Sequence, residues 1–282
     1  MSIHRTLIDA QTLRSRLAAG EPTVVLDCRF DLARPDAGPA AYAEGRIPGA
    51  RHAHLDRDLS GARNGRNGRH PLPEREAFAA CAAGWGVAPG VQVVAYDAQA
   101  GVYAARAWWL LRWLGHDAVA VLDGGWQAWL AAGGEVETGP PPVPAPAAPY
   151  PAAAAATMPT VDADTLLRML GRLRVLDARS AARFRGEVEP LDPVAGHIPG
   201  ATLRCFSDNL QADGRFKPAE RLRAEFDRLG TPPAEVVHSC GSGVTACHNL
   251  LAMAHAGLDG SVLYPGSWSE WCADPARPVA VG

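Results

Sequence analysis

Two halves of this 282-residue chain can be laid over one another. Val24-Val-Leu-Asp-Cys-Arg29 matches Arg174-Val-Leu-Asp-Ala-Arg179. Arg46-Ile-Pro-Gly-Ala50 matches His197-Ile-Pro-Gly-Ala201. The apolar run Val91–Tyr96 answers Glu235–Ser239, and Leu122-Asp-Gly-Gly-Trp-Gln-Ala-Trp129 answers Tyr264-Pro-Gly-Ser-Trp-Ser-Glu-Trp271. The offset stays between 142 and 151 residues throughout, which marks a tandem duplication of a whole domain rather than a short-period solenoid. The fold must therefore be one that each half can complete from its own strands and helices. A chain of this length suits two ordinary domains, and 48% hydrophobic residues are enough for two cores.

Within each half, short β-branched runs alternate with amphipathic stretches. Val24–Leu26, Val91–Ala95 and Ala118–Leu122 read as buried strands, and Ala104–Leu114 and Thr245–Ala256 read as helices. Such alternation predicts an α/β fold, a parallel sheet flanked by helices in each half, with the functional loops at the carboxyl ends of the strands. Gly139 to Ala156 is mostly Pro and Ala without apolar periodicity, the composition of an extended, semi-rigid connector. The expected division is a first domain over 1–139, a linker over 140–158 and a second domain over 159–282.

A formal net charge of −3 gives no basic surface for nucleic acid or an anionic membrane. Lys217 is the sole lysine among the basic residues, which is in keeping with a GC-rich coding sequence. The N-terminal stretch MSIHRTLIDAQTL lacks the apolar core of a signal peptide, and no run is long enough to span a bilayer. The expected setting is the cytoplasm. Cys28, Cys81, Cys205, Cys240, Cys247 and Cys272 form no CxxC pair and are expected as free thiols.

One loop concentrates chemistry. In His238-Ser-Cys-Gly-Ser-Gly-Val-Thr-Ala-Cys-His-Asn-Leu250 a strand ends, Cys240 opens a tight turn, and a helix begins near Thr245. Gly241 and Gly243 are expected to adopt backbone conformations closed to other residues. Successive N–H groups can then form an anion-binding nest, reinforced by the helix N-terminus. A cysteine at its mouth has its thiolate favoured and becomes a nucleophile. The competing reading, an inert core thiol, suits Cys247, which lies inside the helix among Ala and Leu. His238, Cys240, Cys247 and His248 match no common zinc spacing and would point in different directions, so no metal is expected. Phosphatase chemistry needs an arginine six residues after the cysteine to clamp phosphate; Ala246 stands there.

The sequence resembles the tandem-domain sulfurtransferases of the rhodanese family, over nearly the whole chain. The LDxR strand ends, the two (H/R)IPGA turns, Arg183-Phe-Arg-Gly186 and Cys240-Gly-Ser-Gly-Val-Thr-Ala-Cys247 carry the likeness. The Gly-Ser pair after the cysteine is that of the mercaptopyruvate type, whereas thiosulfate types usually carry two basic residues there. The resemblance implies two rhodanese-like domains, of which only the second is catalytic, because Asp97 occupies the cysteine's position in the first. The first then acts as a degenerate partner walling an interdomain cleft. It implies that Cys240 becomes a persulfide, cradled by the N–H groups of Gly241, Ser242, Gly243, Val244 and Thr245. It further implies a proton relay of Ser242, His70 and Asp56, with Asp58 the rival to Asp56, and a donor-carboxylate clamp at Arg183. Arg179 reads as structural, since Arg29 repeats it. The donor is a small anion, 3-mercaptopyruvate first and thiosulfate second. The acceptor is cyanide, a small thiol or a thioredoxin-like protein, and no cofactor is needed. A sulfur-relay carrier without small-donor turnover is the reading from another class. One position departs from the family pattern: where mercaptopyruvate types carry a second arginine, Val188-Glu-Pro-Leu-Asp192 has Leu191.

Overall fold

A computed structural model of the chain describes residues 3–140, 150–153 and 155–282. The expected linker falls partly outside them, at 141–149 and 154. The chain divides into two compact units. The first is Met1–Ser60, Pro73–Thr157 and Ala212–Arg215; the second is Gly61–Leu72, Met158–Gln211 and Phe216–Gly282.

The first unit runs β1 (Leu7–Ile8), α1 (Ala10–Ala18), β2 (Thr23–Asp27), α2 (Ala37–Glu44), β3 (Arg51–His52), α3 (Arg75–Gly84), β4 (Gln92–Tyr96), α4 (Ala104–Leu114), β5 (Val119–Leu122) and α5 (Gly125–Ala131). Its strands pair in the order β1-β5-β4-β2-β3, all parallel. Every residue of β4 and β5 is buried, as expected of strands covered on both faces, whose sequence is continuously apolar rather than alternating. Ile8, Leu13, Val25, Ile47, Val94, Leu122 and Trp129 form a core on one side of the sheet.

The second unit runs α6 (Ala163–Arg168), β6 (Arg174–Asp177), α7 (Ala181–Phe184), β7 (Thr202–Leu203), α8 (Ala219–Asp227), β8 (Val236–Ser239), α9 (Thr245–His255), β9 (Val262–Leu263) and α10 (Ser267–Trp271). Its sheet order is β7-β6-β8-β9, again parallel. A single parallel bridge from Thr160 to Leu263 extends the β9 edge, where β1 stands in the first unit. The α/β fold read from the alternation is thus present twice.

The sequence repeats are repeats of bonding. After β2, Arg29 binds its own strand's Asp27, donates to the Gly45 carbonyl (2.6 Å) and lies 4.8 Å from the Trp126 ring. After β6, Arg179 binds Asp177, donates to Gly196 O (2.8 Å) and lies 4.9 Å from the Trp268 ring. Each arginine thereby ties a strand end to the IPGA segment and to the Gly/Trp turn, which explains why all three motifs recur together. In the IPGA turns, Gly49 and Gly200 have φ of +74° and +79°, and the Ala50 and Ala201 N–H groups close onto Ile47 O and Ile198 O at 3.0 Å. Proline second and a left-handed glycine third is the type II turn pattern.

Candidate active site

β8 is flanked by β6 and β9, and Cys240 is the residue after its carboxyl end. Cys240 is buried, 2% exposed. The Gly243 N–H donates to its Sγ at 3.1 Å, so the loop closes around the sulfur. Gly243 has φ of +79°, and a Cβ there would lie 2.3 Å from Pro265 O; no other residue fits. Gly241 departs from expectation. Its φ is not positive; a Cβ there would touch the ends of two flexible side chains, 3.0 Å from Arg69 Nη2 and 3.2 Å from Arg183 Nη1. Val244 caps α9 and Thr245 begins it, where the first N–H groups of a helix have no intrahelical acceptor.

A second loop fixes the first from behind. The Cys240 N–H donates to Ser267 Oγ (3.1 Å), and that hydroxyl donates to Tyr264 O (3.0 Å). Trp268 N–H and Ser269 N–H donate to the carbonyls of Cys240 and Gly241, each at 3.0 Å. Ser267 has φ of +51°, unusual for a residue with a side chain; Gly125 takes the matching place in the first unit at +57°. A left-handed non-glycine costs about 1–2 kcal/mol, and the hydroxyl bridge to Cys240 accounts for its retention. A Ser267→Gly protein is expected to keep its melting temperature, since strain is relieved as a bond is lost. Its turnover should also fall, because the Cys240 N–H loses the hydroxyl that positions it; a lost hydrogen bond of about 1–2 kcal/mol corresponds to roughly five- to thirtyfold if it is felt in the transition state. Unchanged turnover would mean that the hydroxyl positions nothing.

His70 is buried, and its Nδ1 lies 2.7 Å from Ser242 Oγ. Its segment, 61–72, belongs to the second compact unit although it precedes β4 in the chain. The Arg69 N–H donates to Ser269 Oγ (3.0 Å). Gly68, with φ of +81°, packs so closely on the Gly266 carbonyl that a Cβ would be 2.8 Å away. The same turn that backs Cys240 therefore also anchors the residues leading into His70. Asp56 lies in the first unit, half-buried, with its N–H donating to His54 Nδ1 (3.2 Å). Asp58 is engaged by Arg57 (2.9 Å) and by the His54 N–H (2.8 Å).

Arg183, in α7, donates to Glu189 Oε1 (2.7 Å) and lies 3.4 Å from Asp192 Oδ2. Arg179 reaches Glu189 Oε2 as well (3.3 Å), and Arg185 pairs with Glu187 on the surface. Leu191 is 46% exposed and its N–H donates to Glu189 Oε1. The residue that sequence reasoning passed over is Arg69. It binds Asp192 and stands beside Gly241; its only sequence signal was its position next to His70.

In the first unit the matching loop holds a carboxylate. Asp97 is fully buried and accepts four backbone N–H groups, from Gln99 (2.9 Å), Gly101 (2.8 Å), Tyr103 (2.8 Å) and Ala104 (2.9 Å). Burial pushes its pKa up and those donors pull it back. A strand-to-helix loop of this design is a nest built to surround an anion.

The other polar residues near the loop have separate partners. His238 Nε2 lies 3.2 Å from Met253 Sδ, and burial pushes the ring's pKa down to about 3. His248 stacks on Phe216 with Nδ1 3.1 Å from the Asn209 amide. Cys247 is buried, with its Sγ donating to Gly243 O at 3.3 Å. No group of three or more His, Cys, Asp or Glu among the described residues could hold a metal ion, and no helix among them is long and apolar enough to cross a membrane.

The chain belongs to the rhodanese-like family: the rhodanese-like domain matches it twice, over residues 9–132 and 162–274. A Pseudomonas aeruginosa relative named "Probable 3-mercaptopyruvate sulfurtransferase" is 52% identical, covering 98% of both chains. The human 3-mercaptopyruvate sulfurtransferase is 38% identical over 98% of this chain and 95% of its own. Among solved structures, the 3-mercaptopyruvate sulfurtransferase from Leishmania major superposes with a TM-score of 0.83 at 34% identity, covering 95% of this chain and 74% of that one.

Proposed function

We propose that the protein is a sulfurtransferase that takes sulfur from 3-mercaptopyruvate onto Cys240 and passes it to a thiol or cyanide. The observation that carries this reading is the 2.7 Å contact between Ser242 Oγ and His70 Nδ1, two residues from a sulfur that already accepts the Gly243 N–H. A cysteine sulfur, a hydroxyl–imidazole pair and an anion nest stand together where segment 61–72 meets the Cys240 loop.

The Cys240 thiolate attacks the donor's sulfur. An S–S bond forms, the donor's C–S bond breaks, and its electron pair leaves as the enolate of pyruvate. The proton on the donor's thiol is lost and the enolate carbon gains one, so the pair Ser242–His70 has one proton to move and none to create. Asp56 is the carboxylate that the family resemblance assigns to the relay; Asp58 binds Arg57. The outer persulfide sulfur is anionic, and the N–H groups of Gly241 to Thr245 are there to stabilise it. An acceptor thiolate or cyanide attacks that outer sulfur and returns Cys240 to the thiolate, a ping-pong cycle with one covalent intermediate. Arg183 holds the donor's carboxylate through its planar fork. Every step is completed by side chains of this chain and the two substrates. A thioredoxin-like protein is the macromolecular acceptor suited to a persulfide in a reducing compartment. Six free thiols point to the cytoplasm as that compartment.

Thiosulfate is the second donor reading, and Leu191 is what favours it. Comparing kcat/KM for the two donors with a common acceptor tests the order: the value is expected to be higher with 3-mercaptopyruvate. A higher value with thiosulfate reverses the assignment. Turnover with neither leaves a sulfur carrier loaded by another protein.

A further inference from the structure

Two guanidiniums, not one, face the residue after Cys240. A Cβ on Gly241 would lie 3.0 Å from Arg69 Nη2, and 3.2 and 3.4 Å from Arg183 Nη1 and Nη2. The two arginines also share a single carboxylate: Arg69 Nη1 binds Asp192 Oδ1, and Arg183 Nη2 lies 3.4 Å from Asp192 Oδ2. Asp192 is almost wholly buried, its side chain 4% exposed, while the arginines keep 23% and 18% of theirs in contact with solvent. A carboxylate suspended between two forks beside the sulfur carrier is already the geometry of a bound small acid.

We propose that Arg69 is a donor-binding residue, the second arm of a two-arginine clamp in which Asp192 holds the place of the substrate's carboxylate. This rests on the reading of Cys240 as the sulfur carrier. Arg69 supplies from segment 61–72 the cation that Leu191 does not supply from its own. Its position is fixed by its backbone, since its N–H is bonded to Ser269 Oγ. Charge in the cluster balances: Arg69, Arg179 and Arg183 are met by Asp177, Glu189 and Asp192. A neutral cluster accepts a monoanion with one arm released from Asp192. With no cation in excess, a dianion such as thiosulfate places two uncompensated charges beside the cluster where a keto acid places one, so the clamp favours the keto-acid donor.

The test is Arg69→Gln and Arg69→Lys, with kcat and KM measured for 3-mercaptopyruvate and Cys240 loading followed by intact mass. A neutral dialkyl trisulfide without a carboxylate serves as a second sulfur source: the Cys240 thiolate takes its central sulfur with one alkylthio group attached, the other alkylthio group leaves as a thiolate, and loading is read as the mass of that adduct. Losing a charge-assisted bidentate contact is worth roughly 10- to 150-fold. Arg69→Gln is expected to raise KM by that amount while kcat stays within about threefold. Lysine keeps the charge without the fork, and its KM should lie between. Loading from the trisulfide should be unchanged in both. The assignment is overturned if KM is unmoved in folded Arg69→Gln protein, or if loading from both sulfur sources falls together, which would make Arg69 a support of the loop. A wild-type protein that 3-mercaptopyruvate does not load would sink the sulfur-carrier reading instead, and that result is read before either variant is made.

Discussion

A Cys240→Ser protein takes up no sulfur. Incubated with 3-mercaptopyruvate, the wild-type chain should gain about 32 Da as a persulfide. The serine variant should gain nothing, with turnover at least about a thousandfold lower. The effect is expected to be this large because no neighbouring thiol is placed to substitute. Burial pushes the Cys81 and Cys272 pKa values to about 12 and about 11, and raises that of Cys28 too, with Asp97 and Asp27 adding to the shift. Cys247 is packed in α9 with its Sγ turned to the Gly243 carbonyl. Serine is nearly isosteric and still accepts the Gly243 N–H, so the fold should be retained and the loss be chemical. A serine variant that gains the same mass as wild type would move the carrier to another cysteine.

The second large effect falls on stability, in the first unit. Asp97→Ala removes the acceptor of four buried N–H groups at once. An unsatisfied buried donor costs about 1–3 kcal/mol, and the loop's relaxation toward water recovers some of it. A loss of about 4 kcal/mol is a reasonable expectation, a fall of some 10 °C or more in the first unit's melting transition. Asp97→Asn keeps one oxygen but turns an amide NH2 toward two of the donors, and should lose roughly half as much. Calorimetry on the three proteins checks the order. A loss under about 1 kcal/mol for alanine would show that these N–H groups find water readily, and that the carboxylate is not what holds the loop.

Much of this was legible in the sequence because the duplication supplies its own alignment. The LDxR strand ends, IPGA turns and Gly/Trp turns recur since Arg29 and Arg179 each tie the three together. Cys240 stood out against Asp97 for the same reason. Other features were hidden because they are set by contacts remote in sequence. Arg69 meets Asp192 across 123 residues, and a lone arginine in a loop carries no local sign of that. The Gly-Ser-Gly run suggests a conformational need at Gly241, whereas its φ is not positive and its neighbours are two guanidiniums. Ser267 was visible as a serine opposite Gly125, but neither its left-handed backbone nor its bond to the Cys240 N–H can be read from composition.

The placement of segment 61–72 bears on how such a gene could change. A half beginning at residue 159 would keep the cysteine, its glycines and Arg183, and would lack both His70 and Arg69, which the second compact unit draws from upstream of β4. The first half is therefore a lender. Its own nest is closed by a carboxylate, yet the second unit takes from its stretch of chain an imidazole and a cation. The duplication is interlaced rather than modular, and that alone is a reason for the first half to persist.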